Sequence, residues 1–256
     1  MRVIADTHVH LYPFYDLRAA IDSLVANLGR LEPGDAVKAA FLAERHDCRM
    51  FRDIASGKVQ VAGYAADVSI GAGALRLKGE KGETWLFPGR QVIAKERIEI
   101  IAFMTDMELP DGLPAVDVVN AVRDAGAVPV LSWAPGKWFG GRGEIIKRLI
   151  EASGSADLLI GDTTLRPTCW GEPRLMKFAR EKGIRVIAGS DPLPFRGEEQ
   201  RLGTYASLLE GEFNDKNPVE SVRKMLLSGV SSPAVAGKRC GVIDVVQRLL
   251  KNRRSS

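Results

Sequence analysis

The sequence predicts an α/β fold whose strands run largely parallel and are joined by helices. From residue 114 onward, short apolar segments alternate regularly with helical patterns, which is typical of right-handed parallel crossovers. About seven segments have the composition of strands, and a chain of 256 residues is long enough to form a barrel as one domain. No G-x-G-x-x-G follows the first strand, which argues against a dinucleotide-binding sheet.

Composition and charge narrow the classes of partner. The net charge is +4, no apolar stretch reaches about 18 residues, and no basic patch is interleaved with aromatic residues. We therefore expect neither a membrane nor a nucleic acid as partner. The N-terminus enters a strand without a secretory signal, and the three cysteines form no C-x-x-C pair. These features predict a cytoplasmic protein with reduced thiols, one domain over residues 1–256, and a flexible tail at 254–256; the oligomeric state stays open.

The first half of the chain begins with an apolar strand and continues with a strongly amphipathic helix. Residues 70–83 are rich in Gly, Lys and Glu, which predicts an exposed excursion and a hairpin that leads into 84–87. The predicted elements are a strand at 3–5, a helix at 16–31, and strands at 37–42 and 59–65. The segment 84–87, to which the hairpin leads, and two short extended segments at 90–94 and 98–104 follow.

The second half carries clear signals for the ends of its helices. Gly126 and Gly183 stand where glycine commonly terminates a helix, and Asn217 followed by Pro218 is a strong helix start. The predicted helices are 114–125, 144–152, 173–182, 217–228 and 242–251, and the strands between them are 128–132, 157–160 and 184–188.

Three polar residues follow the first strand at alternate positions. Side chains two residues apart in an extended chain point the same way, so Asp6, His8 and His10 can share one face. Two of the three histidines of the protein are used here. Neutral imidazole is a common ligand of divalent transition metals, so this pair either belongs to a metal site or is a polar strand end with two incidental histidines.

Further polar residues lie where other predicted strands end. The loops at the carboxyl ends of parallel strands build the functional site of a β/α barrel, so these side chains are expected to converge. Glu99 is the one charge in an apolar run, so it either faces solvent or points at a cation or a polar site. The residues at or near such ends are His8, His10, His46, Glu99, Trp133, Asp162 and Asp191.

The order of these motifs is shared with a known family. Asp6-x-His8-x-His10 comes first, His46 follows the second strand, and Gly189-Ser190-Asp191 follows a late one. In this order and spacing, over roughly residues 3–200, the chain resembles the PHP (polymerase and histidinol phosphatase) family. The resemblance implies a distorted TIM-like (β/α)7 barrel and clustered metals, usually in a trinuclear site, that hydrolyse phosphoesters.

Several positions of the family's motifs hold other residues in this chain. The aspartate of the family's T-D-H is Arg45, and the glutamate of its G-x-E is Gln91. A histidine of the next strand is replaced by Glu99, that of A-H-P-G by Ala134, and that of G-S-D-x-H by Leu193. A second and a third metal would therefore lack most of their ligands, whereas one position is retained.

The resemblance and its departures imply a set of site residues. The metal ligands are His8, His10, His46, Gln91 and Asp191, which would hold one divalent ion (Zn, Mn or Fe) per chain, or none if metal binding has been lost. Glu99, His46 or Asp191 is a candidate to accept a proton. The fixed cation of Arg45 either binds a phosphate or carboxylate or marks the loss of metal.

Substrate contacts are predicted at the mouth of the barrel, each with a structural alternative. The loop 136–143 offers Lys137 and Arg142 to an anion, or is simply solvated. Asp162 and Arg166 contact substrate, or form an internal ion pair in a capped loop. Trp133 lines the pocket, or packs at the base of the loop.

Two functional hypotheses follow. The first is a metal-dependent hydrolase, a phosphoesterase that acts on a small anionic, phosphorylated substrate. The second is a barrel without catalytic metals that binds an anionic small molecule or a protein partner. An amidohydrolase-type barrel needs further histidines at later strand ends, and the chain has none after His46.

Overall fold

The computed structural model describes residues 2–68, 73–229 and 231–255, and within these ranges the chain is a mixed α/β protein. Its strands are β1 (Arg2–Val9), β2 (Val37–Leu42), β3 (Tyr64–Asp67), β4 (Leu75–Gly79), β5 (Gly82–Phe87), β6 (Gly89–Ile93), β7 (Glu99–Phe103), β8 (Val128–Ser132), β9 (Leu159–Thr163), β10 (Arg185–Gly189), β11 (Tyr205–Glu210) and β12 (Ala234–Gly237). Its helices are α1 (Leu17–Leu31), α2 (Met50–Ala55), α3 (Ala115–Asp124), α4 (Gly141–Glu151), α5 (Arg174–Glu181), α6 (Pro218–Leu227) and α7 (Val242–Ser255), with a 3-10 turn at Glu198–Arg201.

Hydrogen bonds divide these strands into two sheets. The larger has the order β12-β11-β1-β2-β5-β4-β3, in which β1, β2 and β5 run parallel to one another. The smaller has the order β10-β9-β8-β7-β6, in which β8, β9 and β10 run parallel. The α/β class is confirmed. A single closed sheet is not present in the described ranges, so the (β/α)7 barrel stays a prediction.

The two sheets approach each other at two junctions that surround the site. At the first, the N–H of Glu44 donates to the carbonyl of Gly89 (3.0 Å). At the second, the N–H of Asp191 donates to the carbonyl of His8 (2.9 Å). A Cβ on Gly89 would lie 2.1 Å from the oxygen of Leu42, and one on Gly189 would lie 2.3 Å from the nitrogen of His8. Only glycine permits the strands to come this close.

An apolar core fills the space between the sheets. Its buried residues come from strands of both, and the phenylalanine rings on β2, β5 and β7 are stacked. The ring of Phe41 on β2 lies 4.9 Å from that of Phe87 on β5 and 4.8 Å from that of Phe103 on β7. This packing fixes the positions of the strand ends that carry the polar residues.

Local sequence signals place most of the helices. Asp16 caps α1 by accepting from the N–H of Ala19 (3.0 Å), and Pro218 is the first residue of α6. Gly126 and Gly183 adopt positive φ angles directly beyond α3 and α5, as their positions predict. Within the described ranges, every helix is too short or too polar to span a lipid bilayer.

Several elements differ from the prediction. The strand expected at 59–65 is wrong over its first part. Val59 and Val61 belong to the same apolar cluster as residues of the unpredicted helix α2, and Gly63 makes a turn with φ 80° before β3. The predicted hairpin is confirmed as β4 and β5; residues 70–72 of that excursion lie outside the described residues. Strands β11 and β12 were not predicted. Helix α7 continues to Ser255, and Ser256 of the expected tail lies outside the described residues.

Candidate metal centre

Three buried side chains converge where β1 and β10 end. The Nε2 atoms of His8 and His10 lie 3.1 Å apart, and Asp191 Oδ1 lies 3.5 Å from the first and 3.6 Å from the second. Ligand atoms bound to one tetrahedral zinc ion at about 2.0–2.1 Å are about 3.3 Å apart, so this spacing fits a single divalent ion. In the described ranges, only this group of three His, Cys, Asp or Glu side chains is close enough to hold one.

Two further polar side chains contact His8. Gln91 Oε1, from β6, lies 3.1 Å from His8 Nε2 and adds a fourth oxygen or nitrogen donor to the group. Ser132 Oγ, at the end of β8, lies 3.3 Å from His8 Nδ1. When Nδ1 carries the proton and donates it to Ser132, the lone pair of Nε2 is directed at the other donors, which is the tautomer that a metal requires.

Burial and charge favour the protonation states that bind metal. Burial lowers the pKa of His10, so its imidazole is neutral near pH 7. Burial alone would raise the pKa of Asp191, but the adjacent His8 and His10 outweigh it and hold that pKa well below its usual range. A neutral imidazole and an ionised carboxylate are the forms that ligate a divalent ion.

Asp6 does not join the two imidazoles, although it alternates with them in sequence. The register between β1 and β2 shifts between Asp6 and Val9, which interrupts the regular alternation of side chains. The carboxylate of Asp6 instead accepts from the backbone N–H groups of Ser190 (2.8 Å), Gly203 (2.7 Å) and His8 (3.2 Å). Burial raises its pKa to about 6 despite these donors. The hydrogen bonds of Asp6 thus connect β1 to the loop after β10 and to the loop before β11.

The loop that carries Asp191 is held by a buried ion pair. Asp191 itself adopts φ 51°, a conformation that a non-glycine residue rarely takes. Its carbonyl accepts from Arg248 Nη2 of helix α7 (3.0 Å), and Arg248 also pairs with Glu198 (2.6 Å). Glu198 in turn accepts from the N–H of Leu193 (3.0 Å). Helix α7 therefore fixes the backbone on both sides of Pro192.

The group opens into a cavity of about 480 Å³. His10, Gln91 and Asp191 lie in its wall, together with the charged residues Glu99, Lys137, Arg45 and Arg253. Glu99, the first residue of β7, forms an ion pair with Lys137, which settles its orientation toward a cation rather than toward bulk solvent. Arg45 lies 3.4 Å from Asp47. The wall thus presents both cations and carboxylates near the donors.

The structure does not bring His46 to this group. Its side chain is 62% exposed, and its Nδ1 lies 3.4 Å from Asp111 Oδ2 on the surface. It is two residues beyond Glu44, whose backbone joins the two sheets, and the chain turns outward there before α2. Gln91, by contrast, lies within the group, as the resemblance implied for its position.

Four of the residues predicted at the mouth make other contacts. Asp162 and Arg166 are buried in a two-bond ion pair (2.6 and 2.7 Å), and Arg166 also donates to the carbonyls of Trp170 and Gly171. This is the internal ion pair that the sequence left open. Trp133 is fully buried, and Arg142 donates to the carbonyl of Gly136 (2.7 Å) at the start of α4.

Sequence reasoning missed Ser132, Glu198 and Arg248. Arg248 had no clear signal, because it follows Gln247 in a last helix that also contains Asp244 and Lys251. Ser132 and Glu198 had none, since a serine at a strand end and a glutamate in a charged turn are ordinary in sequence.

Comparisons with known proteins establish the fold alone. No protein-family model matches the chain, and a search of curated proteins gives no match. Among solved structures, PsfC from Pseudomonas syringae PB-5123 aligns with a TM-score of 0.59 and 15% identity, over 99% of this chain and 97% of that one.

Endonuclease Q is a second structural neighbour. The lesion-specific endonuclease PfuEndoQ from Pyrococcus furiosus aligns with a TM-score of 0.52 and 13% identity, over 90% of this chain and 57% of its own. A complex of Endonuclease Q with a 27-mer duplex substrate carrying an abasic lesion at the active site aligns with a TM-score of 0.54 and 12% identity, over 88% and 56%. The chain thus spans little more than half of the length of that enzyme.

Proposed function

We propose that this protein is a metal-dependent hydrolase that cleaves a phosphoester in the cavity beside His8, His10 and Asp191. The main observation behind the proposal is the convergence of two imidazoles, a carboxylate and the amide of Gln91, whose contacting atoms lie 3.1–3.6 Å apart. Cationic side chains line the adjoining cavity. These side chains would hold a divalent ion, which when bound would supply an activated water and polarise the phosphoryl group.

The other side chains in the wall have separate roles. Glu99, which pairs with Lys137 in the wall of the cavity, accepts a proton as the nucleophile forms. Arg45, which stands at the position of the family's aspartate, binds an anionic oxygen of the substrate. Five residues that the sequence pointed to have no role in this proposal, because their side chains are exposed, buried or engaged in other contacts. They are His46, Asp162, Arg166, Trp133 and Arg142.

The substrate is a small phosphorylated molecule. A volume of about 480 Å³ is typical of small-molecule sites, and the lining cations Arg45, Lys137 and Arg253 suit an anion. Endonuclease Q acts on duplex DNA, but its similarity to this chain is one of fold at 12–13% identity. We therefore propose a small anionic substrate rather than DNA.

We also infer that the chain is a divergent member of the PHP family. The order of the ligand positions along the sequence supports this, and so does the fold shared with Endonuclease Q, a nuclease. In this proposal β1, β2 and β6 to β10 are the seven strands of one distorted barrel, and residues 1–256 act as one unit. The two junctions between the sheets, at Gly89 and at Gly189, are evidence for a barrel formed by these strands. The contact of α7 with Asp191 is evidence that residues 1–256 act as one unit.

Elemental analysis of purified protein tests the proposal. We expect about one zinc, manganese or iron per chain, loss of that metal in His8→Ala, and its retention in the matched control His46→Ala, whose ring is exposed. The metal-loaded protein should hydrolyse p-nitrophenyl phosphate. A protein that stays metal-free after incubation with zinc and manganese would refute the proposal. Bound metal without hydrolysis of a panel of phosphoesters would favour a non-catalytic protein that binds anions.

A further inference from the structure

A stack of aromatic rings extends from His10 to the protein surface. The ring of His10 lies 5.4 Å from that of Tyr12 with an interplanar angle of 19°, and Tyr12 lies 5.4 Å from Phe14 at 8°. These residues follow β1 at alternate positions. Two such steps place the ring of Phe14 no further than about 11 Å from the imidazole of His10.

The outermost ring is exposed and held in place. Phe14 is 41% exposed although it is a large apolar side chain. One face lies against Tyr12, and Tyr15 contacts it edge-on at 5.3 Å and 89°. The exposed surface is therefore the opposite face and the free edges of a ring whose orientation is already fixed. Such preorganisation reduces the entropy that a ligand loses on stacking there.

A second cavity lies beside this ring and adjoins the metal cavity. It has a volume of about 390 Å³ and is lined by Phe14, Pro13, Asp47 and Cys48. It shares Tyr12, Arg45 and Pro194 with the cavity of 480 Å³ described above. Arg45 thus lies at the boundary between the two. A molecule that occupies both cavities would pass this guanidinium.

We propose that the second cavity is a subsite for a planar aromatic or heteroaromatic group of the substrate, which stacks on Phe14 while its phosphoryl group lies beside His10 and Arg45. An aromatic ring prefers an offset-stacked or edge-on partner, and Phe14 offers a free face and free edges. The guanidinium of Arg45 binds the phosphoryl oxygens and can also stack on the ring. This inference rests on the proposed function, because it assumes that a phosphoryl group binds beside the metal.

Phosphonates test the subsite without turnover, since they contain no phosphoester bond. We would measure the dissociation constants of methylphosphonate, 2-phenylethylphosphonate and 2-cyclohexylethylphosphonate for the zinc-loaded protein by calorimetry. The last two share a spacer and a similar apolar area, and only the phenyl ring is planar. We expect the phenyl compound to bind about tenfold more tightly than the cyclohexyl compound, as stacking on an aromatic side chain predicts.

Substitutions then locate the effect. Phe14→Ala and Phe14→Leu should each bring the ratio of the two affinities close to one, and the leucine variant keeps most of the apolar volume. The matched control is Phe139→Ala, which removes another exposed aromatic ring and should leave the ratio unchanged. Equal affinities in the unsubstituted protein, or a preference that persists in both Phe14 variants, would overturn the subsite. Failure of methylphosphonate itself to bind would overturn the proposed function and the subsite with it.

Discussion

Arg248 Nη2 lies 3.0 Å from the backbone carbonyl oxygen of Asp191, so a residue of helix α7 holds the loop that carries one of the converging donors. The same guanidinium pairs with Glu198, and both side chains are almost fully buried. Partners behind a metal ligand commonly change metal affinity 10- to 100-fold. The candidate centre therefore depends on a contact with a distant part of the sequence.

We expect Arg248→Met to destabilise the protein by about 3–5 kcal/mol, because it leaves the Glu198 carboxylate buried without its main partner. The double variant Glu198→Gln/Arg248→Met should recover much of this stability in urea unfolding. The double variant should still bind zinc about tenfold more weakly than the unsubstituted protein, because the Asp191 carbonyl has lost its hydrogen bond from Arg248. Competition with a chromophoric chelator measures this affinity. Arg201→Met is the matched control: Arg201 also pairs with Glu198, but its second partner is Asp244 rather than Asp191. Full zinc affinity in the double variant would contradict this role.

Gly189→Ala tests the junction between β1 and β10. The added Cβ would lie 2.3 Å from the nitrogen of His8, so the strands must separate and carry Asp191 away from the imidazoles. We expect a loss of about 1–3 kcal/mol in the free energy of unfolding, as in other overpacked sites, together with weaker zinc binding. Gly171→Ala is the control, because a Cβ added there would meet nothing within 4 Å beyond its own chain neighbours. Equal zinc affinity in the two variants would show that this close approach is not required.

Glu99→Gln separates proton transfer from metal binding. Under the proposed function, loss of this carboxylate should lower kcat for p-nitrophenyl phosphate by about 10²- to 10⁴-fold. Metal content should not change, because Glu99 is not among the converging donors. Glu144→Gln, on the exposed first turn of α4, should leave both quantities unaltered. An active Glu99→Gln enzyme would assign proton transfer to another group.

The buried carboxyl of Glu44 makes stability depend on pH. Burial raises its pKa from 4.5 to about 7. Between these values the folded protein keeps a proton that the unfolded chain has lost, so the free energy of unfolding falls as pH rises. The shift corresponds to at most about 3 kcal/mol.

Glu44→Gln should remove this part of the pH dependence, and its stability relative to the unsubstituted protein should increase from pH 4.5 to pH 7. Urea unfolding at several pH values measures the difference. Glu80→Gln, at an exposed glutamate, is the control and should follow the unsubstituted protein. A constant difference between Glu44→Gln and the unsubstituted protein across this range would refute the assignment.

Local signals predicted the elements whose ends they mark. Gly126, Gly183 and Pro218 determine helix ends through their own backbone preferences, so α3, α5 and α6 were predicted to within one or two residues. Strand β11 has no such marker, because Tyr205–Glu210 mixes alanine and leucine with only a weak alternation. It forms a strand because β1 provides an antiparallel partner. That partner lies far away in sequence, so no local pattern could reveal it.

The residues of the candidate site likewise fall into those with a local sequence signal and those whose placement depends on distant parts of the chain. His8 and His10 could be found because they stand two residues apart at the end of the first strand, and Asp191 because a short motif marks its loop. His46 follows a strand in the same manner, yet the chain turns outward and exposes it. The position of a residue after a strand indicates a general location, whereas the direction of its side chain depends on the neighbouring strands. The same limit applies to Asp162, which an arginine four residues away neutralises.

The dependence of Asp191 on Arg248 has a consequence for biogenesis. The two residues are 57 positions apart, so a ribosome must translate well beyond the aspartate before the guanidinium exists. Until then the nascent chain presents an imidazole pair whose carboxylate partner is not yet anchored. Under the proposed function, metal binding at full affinity would therefore follow translation, and a chain arrested before helix α7 would hold an ion only loosely.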